Sequence, residues 1–234
     1  MDYNSVEKKI EDFIVKHAKR AKAKGIVIGL SGGLDSALVA TLSSRALGSE
    51  NVLGVLMPSA TNSPHDIHDA RLIAEKLGIQ THIVPIKSIL DSFKIHFEHH
   101  DERALGNLAA RIRMCILYYY ANHLNYLVAG TGNKSELSIG YFTKYGDGGC
   151  DLLPIGSLYK TEVRELAKSM GLPQEIVDRT PTAGLWPGQT DEGEIGMRYS
   201  ELDKILAGKA ENIRVMQMVA STEHKRKMPE VCKL

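Results

Sequence analysis

The sequence predicts an α/β protein built on a doubly wound parallel sheet with helices on both faces. Three observations carry that prediction. Short β-branched runs alternate with helical segments through the first half of the chain. Those runs are apolar throughout, as strands covered on both faces must be, where a sheet with one wet face would alternate. Two glycine-containing turns, SGGLDS and GTGNKSE, follow the first and fourth strand-like runs directly. In open α/β sheets ligands bind outside the carboxyl ends of the strands, where the strand order reverses.

In chain order, residues 6–24 carry Ile10, Phe13, Ile14 and Val15 in an otherwise charged helical pattern. GIVIGL (25–30) is the first strand. A helix over 36–47 stops at Gly48, because glycine closes a helix in a conformation that a Cβ would oppose. NVLGVLMP (51–58) is the second strand, 66–77 a helix closed by Gly78, and THIVPI (81–86) the third strand. Residues 107–124 form a helix apolar almost all round, so it needs cover on more than one face, from the core or from a second subunit. YLVAGT (126–131) is the fourth strand. Residues 142–154 and 180–196 are rich in Gly, Pro, Thr and acids and read as functional loops. Helices over 160–170, 200–206 and 213–223 punctuate them. With no internal repeat and no low-complexity linker, one domain over 1–234 is expected.

Composition narrows the function. The 234 residues, 43% hydrophobic, bury one large core, and 29 basic against 28 acidic residues leave a net charge of +1. Nothing in that balance offers a nucleic-acid or membrane surface. Cys115, Cys150 and Cys232 stand far apart without a CxxC pair, which points to a reduced, cytoplasmic protein without structural zinc. His65 with His68, and His96 with His99 and His100, have metal-compatible spacing in strongly polar segments and read as solvated residues.

The chemistry concentrates in GIVIGLSGGLDSALVA. Gly32 and Gly33 let the backbone approach an anion, and the following helix aims its free N–H groups at the same place. Ser31 and Ser36 can donate further. A pyrophosphate held in that way needs no lysine from the loop. Asp35 would repel a bare phosphate, so it fits only with a divalent cation between them, and magnesium commonly takes one or two carboxylates plus phosphate oxygens. The alternative, a glycine turn whose serine and aspartate merely cap a helix, does not account for six specific residues placed after a buried strand.

SGGxDS resembles the pyrophosphate loop of the N-type ATP pyrophosphatases, an adenine nucleotide alpha hydrolase type of Rossmann-like fold. Within that superfamily the chain resembles the ammonia-dependent NAD synthetases, through LSGGLDSA, GNLAARIRM, AGTGNKSELSIGYFTKYGDGGCDLLPIGSLYK, TPTAGLWPGQTDE and STEHKRK, in the family's order over most of the chain. The resemblance implies a ligase that adenylates the carboxylate of deamido-NAD with ATP, after which ammonia displaces AMP to give NAD. It implies that Gly29, Leu30, Ser31, Gly32, Gly33, Leu34, Asp35 and Ser36 hold ATP phosphates, with Thr131, Lys160 and Thr182. Asp35 and Glu136 would bind magnesium. Arg111, Lys144, Asp147, Asp151, His224 and Lys225 would bind deamido-NAD. On the residues alone, Asp147 is equally a turn former, and one of Arg111 and Arg113 snorkels from its helix.

Family members are homodimers, and those that use glutamine carry a glutaminase domain, for which none of the segments here provides; free ammonia is the expected nitrogen source. Gly184 stands where many members have aspartate, which moves that role to Asp191. Two rivals fit less well. A related GMP-forming or tRNA-thiolating enzyme leaves FTKYGDGGCDLLP, or the missing paired cysteines, unexplained. A non-catalytic nucleotide sensor has no use for two metal-type carboxylates.

Overall fold

The computed structural model describes residues 1–61, 63–98, 101–186 and 188–232. Four strands, β1 (Gly25–Gly29), β2 (Val52–Leu56), β3 (Gln80–Ile83) and β4 (Tyr126–Ala129), form one parallel sheet in the order β3-β2-β1-β4. The helices before β4 are α1 (Tyr3–Ala21), α2 (Leu34–Leu47), α3 (Pro64–Leu77), α4 (Lys87–Lys94) and α5 (Glu102–Leu124). After β4 come α6 (Lys134–Ile139), α7 (Lys160–Ser169), α8 (Gln174–Val177), α9 (Asp191–Ile195), α10 (Tyr199–Leu206), α11 (Ile213–Ser221) and α12 (Glu223–Arg226).

Successive strand residues point to opposite faces, and both faces are apolar. Ile26 and Ile28 of β1 join Ile10 and Ile14 of α1 and Leu38 and Leu42 of α2 in one core, which also takes Val163 and Leu166 of α7. Val27, Leu53, Val55 and Val128 face the other way and pack with Ile112, Met114 and Leu117 of α5. Ile139, Ile195, Tyr199, Leu202 and Val215 form a third cluster that ties α6, α9, α10 and α11 together. The doubly wound sheet read from the sequence is therefore the one that forms.

The strand order positions the site. The chain steps outward from β1 through β2 to β3, and α5 then returns it to the opposite side of β1. The strand order therefore reverses between β1 and β4, so the two turns singled out in the sequence end up side by side.

Some expectations are refined. The third strand ends at Ile83 rather than residue 86, and as an edge strand it is exposed along its length. The long fifth helix begins at Glu102, where Asp101 caps it by accepting the Ala104 N–H at 2.8 Å. Only one of its faces is covered within the chain, since Cys115 is exposed and Tyr119 is 66% exposed. The helix expected over 213–223 is interrupted at Thr222, whose hydroxyl donates back to the Met218 carbonyl at 2.7 Å. His99 and His100 lie outside the described residues. Among the described residues no helix is long and apolar enough to cross a membrane.

Candidate active site

The phosphate-type loop begins where β1 ends. Gly32 has φ +79°, and a Cβ there would meet the Asp66 carbonyl oxygen at 2.3 Å, so conformation and space both demand glycine. Gly33 then enters α2 in extended conformation, and no side chain caps the helix, which leaves its first-turn amides to other acceptors. The two serines knit the loop together. The Ser31 and Ser36 hydroxyl oxygens lie 3.1 Å apart, Ser36 Oγ donates to the Gly33 carbonyl at 2.9 Å, and the Gly33 N–H donates to Ser31 Oγ at 3.2 Å.

Behind the loop lies a cluster of opposite charges. Asn133 follows β4 and starts α6 through a reciprocal cap with Glu136. Its side-chain amide donates to Asp35 Oδ1 at 3.2 Å, so the two sequence motifs are hydrogen-bonded to one another. Lys160, first residue of α7 with its side chain 7% exposed, forms an ion pair with Asp35 and approaches Glu136 Oε1 at 3.3 Å. Its backbone is fixed in turn. The Lys160 N–H donates to Ser135 Oγ at 2.9 Å, and Asp203 accepts from Ser135 and from both the N–H and the hydroxyl of Thr161.

Burial pushes the Glu136 carboxyl up to about 7, against the pull of Lys160 and with help from the Asp35 charge. Burial opposes the Lys160 charge as well, but Asp35 and Glu136 outweigh it and hold the ammonium above its ordinary range. Asp191 adds a third carboxyl, this one buried and raised by that burial. It accepts from the Tyr199 hydroxyl at 3.0 Å and the Tyr141 hydroxyl at 3.3 Å.

Asp35, Glu136, Lys160 and Asp191 line a crevice of about 380 Å³ between the β1 and β4 ends. Gly29, Leu30, Ser31, Gly33, Leu34, Asp35 and Ser36 line it, as do Thr131, Glu136, Lys160 and Thr182, while Gly32 backs the loop against α3. Asp147 and Lys225 also reach it. Asp147 accepts the Thr143 N–H at 2.9 Å, so it forms a turn and faces the crevice at once. Lys225 donates to the carbonyls of Gly140 and Phe142, each at 2.8 Å.

Arg111, Lys144, Asp151 and His224 do not line this crevice. Arg111 is exposed on α5 and donates to the Lys144 carbonyl at 3.3 Å, and the Lys144 ammonium donates to the His224 carbonyl at 2.7 Å. The four-residue helix α12 thereby clasps the 140–144 segment. Asp151 lies beside β4, where it accepts the Val128 N–H at 2.8 Å and the Tyr118 hydroxyl at 2.9 Å. Of Arg111 and Arg113, Arg113 is the one that turns inward. It donates to the Met57 carbonyl at 3.1 Å and Ser59 Oγ at 3.3 Å, and burial pulls its guanidinium below the ordinary value.

Sequence reasoning missed Asn133, Tyr199 and Arg179. Asn133 was findable, because NKSE is an N-cap followed three residues later by glutamate. The other two carry no local signal. Gly184 has φ +61°, a conformation that aspartate tolerates better than most residues, and its carbonyl accepts from Thr61 Oγ1 at 2.8 Å.

A glycine loop opening a helix, with carboxylates and a lysine behind it at the reversal point of a parallel sheet, defines a Rossmann-like α/β protein that handles nucleotide phosphates. More particularly, the model of the NAD synthase family matches residues 6–229, and the chain belongs to that family. It is 49% identical over 243 residues to the NH(3)-dependent NAD(+) synthetase of Archaeoglobus fulgidus, covering 100% of this chain and 98% of that protein. The solved NMN synthetase from Francisella tularensis superposes with a TM-score of 0.95 at 36% identity, over 100% of both chains. The NH3-dependent NAD synthetase from Campylobacter jejuni, in complex with the nitrate ion, gives 0.83 at 39% identity, again over 100% of both.

Proposed function

We propose that this protein is an ammonia-dependent NAD synthetase, a ligase that spends ATP to turn the carboxylate of deamido-NAD into the amide of NAD, with AMP and pyrophosphate as the other products. The observation that carries this reading is the convergence of Asp35, Glu136 and Lys160 on the start of α2 inside the crevice. Family membership supplies the reaction.

A carboxylate is a poor acyl donor, and the ATP-derived adenylate gives it a leaving group that ammonia can displace. The 29–36 loop holds the triphosphate through backbone N–H groups and the Ser31 and Ser36 hydroxyls, Ser36 giving up the Gly33 carbonyl to donate to phosphate. Lys160 offsets the charge that gathers on pyrophosphate as it leaves. Thr131 and Thr182 border the nucleotide. Thr182 does so from a loop it organises itself, by donating to the Gln189 carbonyl at 2.7 Å. Arg111, Lys144, Asp147, Asp151, His224 and Lys225 are assigned to deamido-NAD, whose phosphates and carboxylate call for cations.

Asp35 and Glu136 fit magnesium. Both are hard oxygen donors within hydrogen-bonding reach of one cation, the Lys160 ammonium, so they already face a common point of positive charge. Bound there, the ion would supply Lewis-acid stabilisation of phosphate oxygens. Asn133 holds Asp35 in place for that role, and Tyr199, 3.5 Å from Glu136 Oε1, borders the second carboxylate.

Pyrophosphate release from ATP tests the reading. It should require deamido-NAD, NAD should form only when ammonium is added, and Asp35→Ala should abolish both. Ammonium has no free electron pair, so NAD formation should also rise toward alkaline pH; a flat profile would argue against direct use of ammonia. The near-complete superposition on an NMN synthetase supports a second reading, in which the same chemistry acts on the smaller nicotinic acid mononucleotide. Offering both acceptors side by side separates the two.

The reading includes a homodimer, because Cys115 and Tyr119 on the outer face of α5 are left exposed among the described residues. Sedimentation should show a dimer that Tyr119→Asp weakens. A monomeric wild type would refute it.

A further inference from the structure

Arg179 lies just past α8 and opens the 180–186 segment that lines the crevice. Its guanidinium makes three contacts at once. Nη1 donates to the Gly32 carbonyl at 3.0 Å and to Asp69 Oδ2 at 2.9 Å, and Nη2 is ion-paired with Asp66. Asp66 is itself held, since it accepts the Ser63 N–H at 2.8 Å in the cap of α3. Arg179 borders the crevice, but its Nη1 and Nη2 are taken up by the two α3 carboxylates and the Gly32 carbonyl, so its hydrogen-bonding capacity is spent on the protein.

Its grip on Gly32 has another consequence. A trans peptide is planar, and its C=O and N–H point in opposite directions. Arg179 draws the carbonyl of the Gly32–Gly33 peptide toward α3, and the N–H of the same peptide accordingly faces the opposite side, where Ser31 Oγ accepts it at 3.2 Å. A peptide between two glycines can turn over at little steric cost, because neither residue has a Cβ to oppose it. Ser31 Oγ holds the N–H end of this peptide from within the loop, and Arg179 holds the carbonyl end from outside it.

We propose that Arg179 is a positioning residue: it turns the Gly32–Gly33 peptide so that its N–H faces the phosphate site, and ties that setting to the crevice-lining 180–186 segment. The proposal rests on the reading of the 29–36 loop as the ATP phosphate site.

The test is calorimetric binding of ATP, pyrophosphate and AMP to wild type, Arg179→Gln, Arg179→Lys and Asp69→Asn. Losing a charge-assisted hydrogen bond that orders the loop should weaken ATP and pyrophosphate by about tenfold or more in Arg179→Gln. AMP, which lacks the outer phosphates, should stay within about twofold. Arg179→Lys keeps the charge between Asp66 and Asp69 but loses the fork, so it should fold and show the same bias in smaller measure. It carries the test should the glutamine variant unfold. Equal weakening of all three ligands would mean general loosening, and unchanged ATP affinity would mean no role; either overturns the proposal. Tighter ATP binding in Asp69→Asn would mean that Arg179 touches phosphate directly, which also overturns it. A wild type that binds neither ATP nor pyrophosphate removes the reading of the loop itself, and the proposal with it. A wild type that binds both while Arg179→Gln matches it removes the proposal alone.

Discussion

Replacing Lys160 by methionine should reduce pyrophosphate release by about a hundredfold to a thousandfold, the scale of losing a preorganised group that stabilises developing charge in a water-poor site. It should also cost about 3–5 kcal/mol of folding stability at neutral pH, because removing one partner of a buried ion pair strands the others. The methionine has nearly the volume of the lysine stem, so packing does not decide the outcome. Asp35, Glu136 and Asp191 do, since all three depend on the same ammonium for compensation.

The sign of the pH dependence follows from Glu136. Its folded-state value, about 7, lies above the ordinary 4.5 even with Lys160 in place. A carboxyl raised on folding binds its proton more tightly in the native state, so stability falls as pH rises from the ordinary value through the folded one. Without Lys160 the folded value climbs further, and the window extends upward. The Lys160→Met deficit should therefore be small near pH 5 and large near pH 8, and Glu136→Gln in the same chain should recover much of the stability but none of the activity. Urea unfolding at the two pH values, alongside a pyrophosphate assay, checks all three statements. A deficit independent of pH would mean that the carboxyls are not what Lys160 compensates.

The same cluster shows why some of the site was legible in the sequence and some was not. Asp35 could be read because everything that gives it meaning, strand, glycines and helix start, lies within a dozen residues. The strands were legible for a similar reason. Buried on both faces, they appear as unbroken apolar runs, and β1, β2 and β4 fall where those runs do. The end of β3 was not. Val84 and Ile86 still donate to the Leu56 and Pro58 carbonyls at 2.8 and 2.9 Å, so pairing runs on beyond Ile83, where the regular strand ends.

Helices α6 and α9 run for six and five residues, too short for a helical period to show. Arg179 and Tyr199 were illegible for a stronger reason. Their partners Gly32 and Glu136 stand 147 and 63 residues away, so only the folded chain makes the contacts. Lys160 is implied by family resemblance alone, and its burial beside two carboxylates supplies a physical ground that a lone lysine at a helix start lacks.

The two glycines of the loop allow a sharper experiment, because they are glycine for different reasons. Gly32→Ala should lose ATP binding through damage to the protein itself. The left-handed conformation costs a Cβ-bearing residue about 1–2 kcal/mol, and the new carbon would meet the Asp66 backbone carbonyl at 2.3 Å, so the loop must move off α3. Gly33 is under no such constraint. It has φ −88°, which alanine adopts freely, and an added Cβ would meet only Ser31 Oγ, at 3.3 Å. Gly33→Ala should keep its melting profile to within about 1 kcal/mol, the scale of a helix-cap change. If phosphate oxygens close on this backbone, however, the same methyl stands in their way, and ATP affinity should fall by about a hundredfold or more. Thermal melts and ATP titrations of the two variants therefore separate the fold's requirement from the ligand's. Should Gly33→Ala bind ATP as tightly as the wild type, the phosphates do not approach the loop there, and assigning residues 29–36 to ATP would have to be abandoned, however well the fold matches.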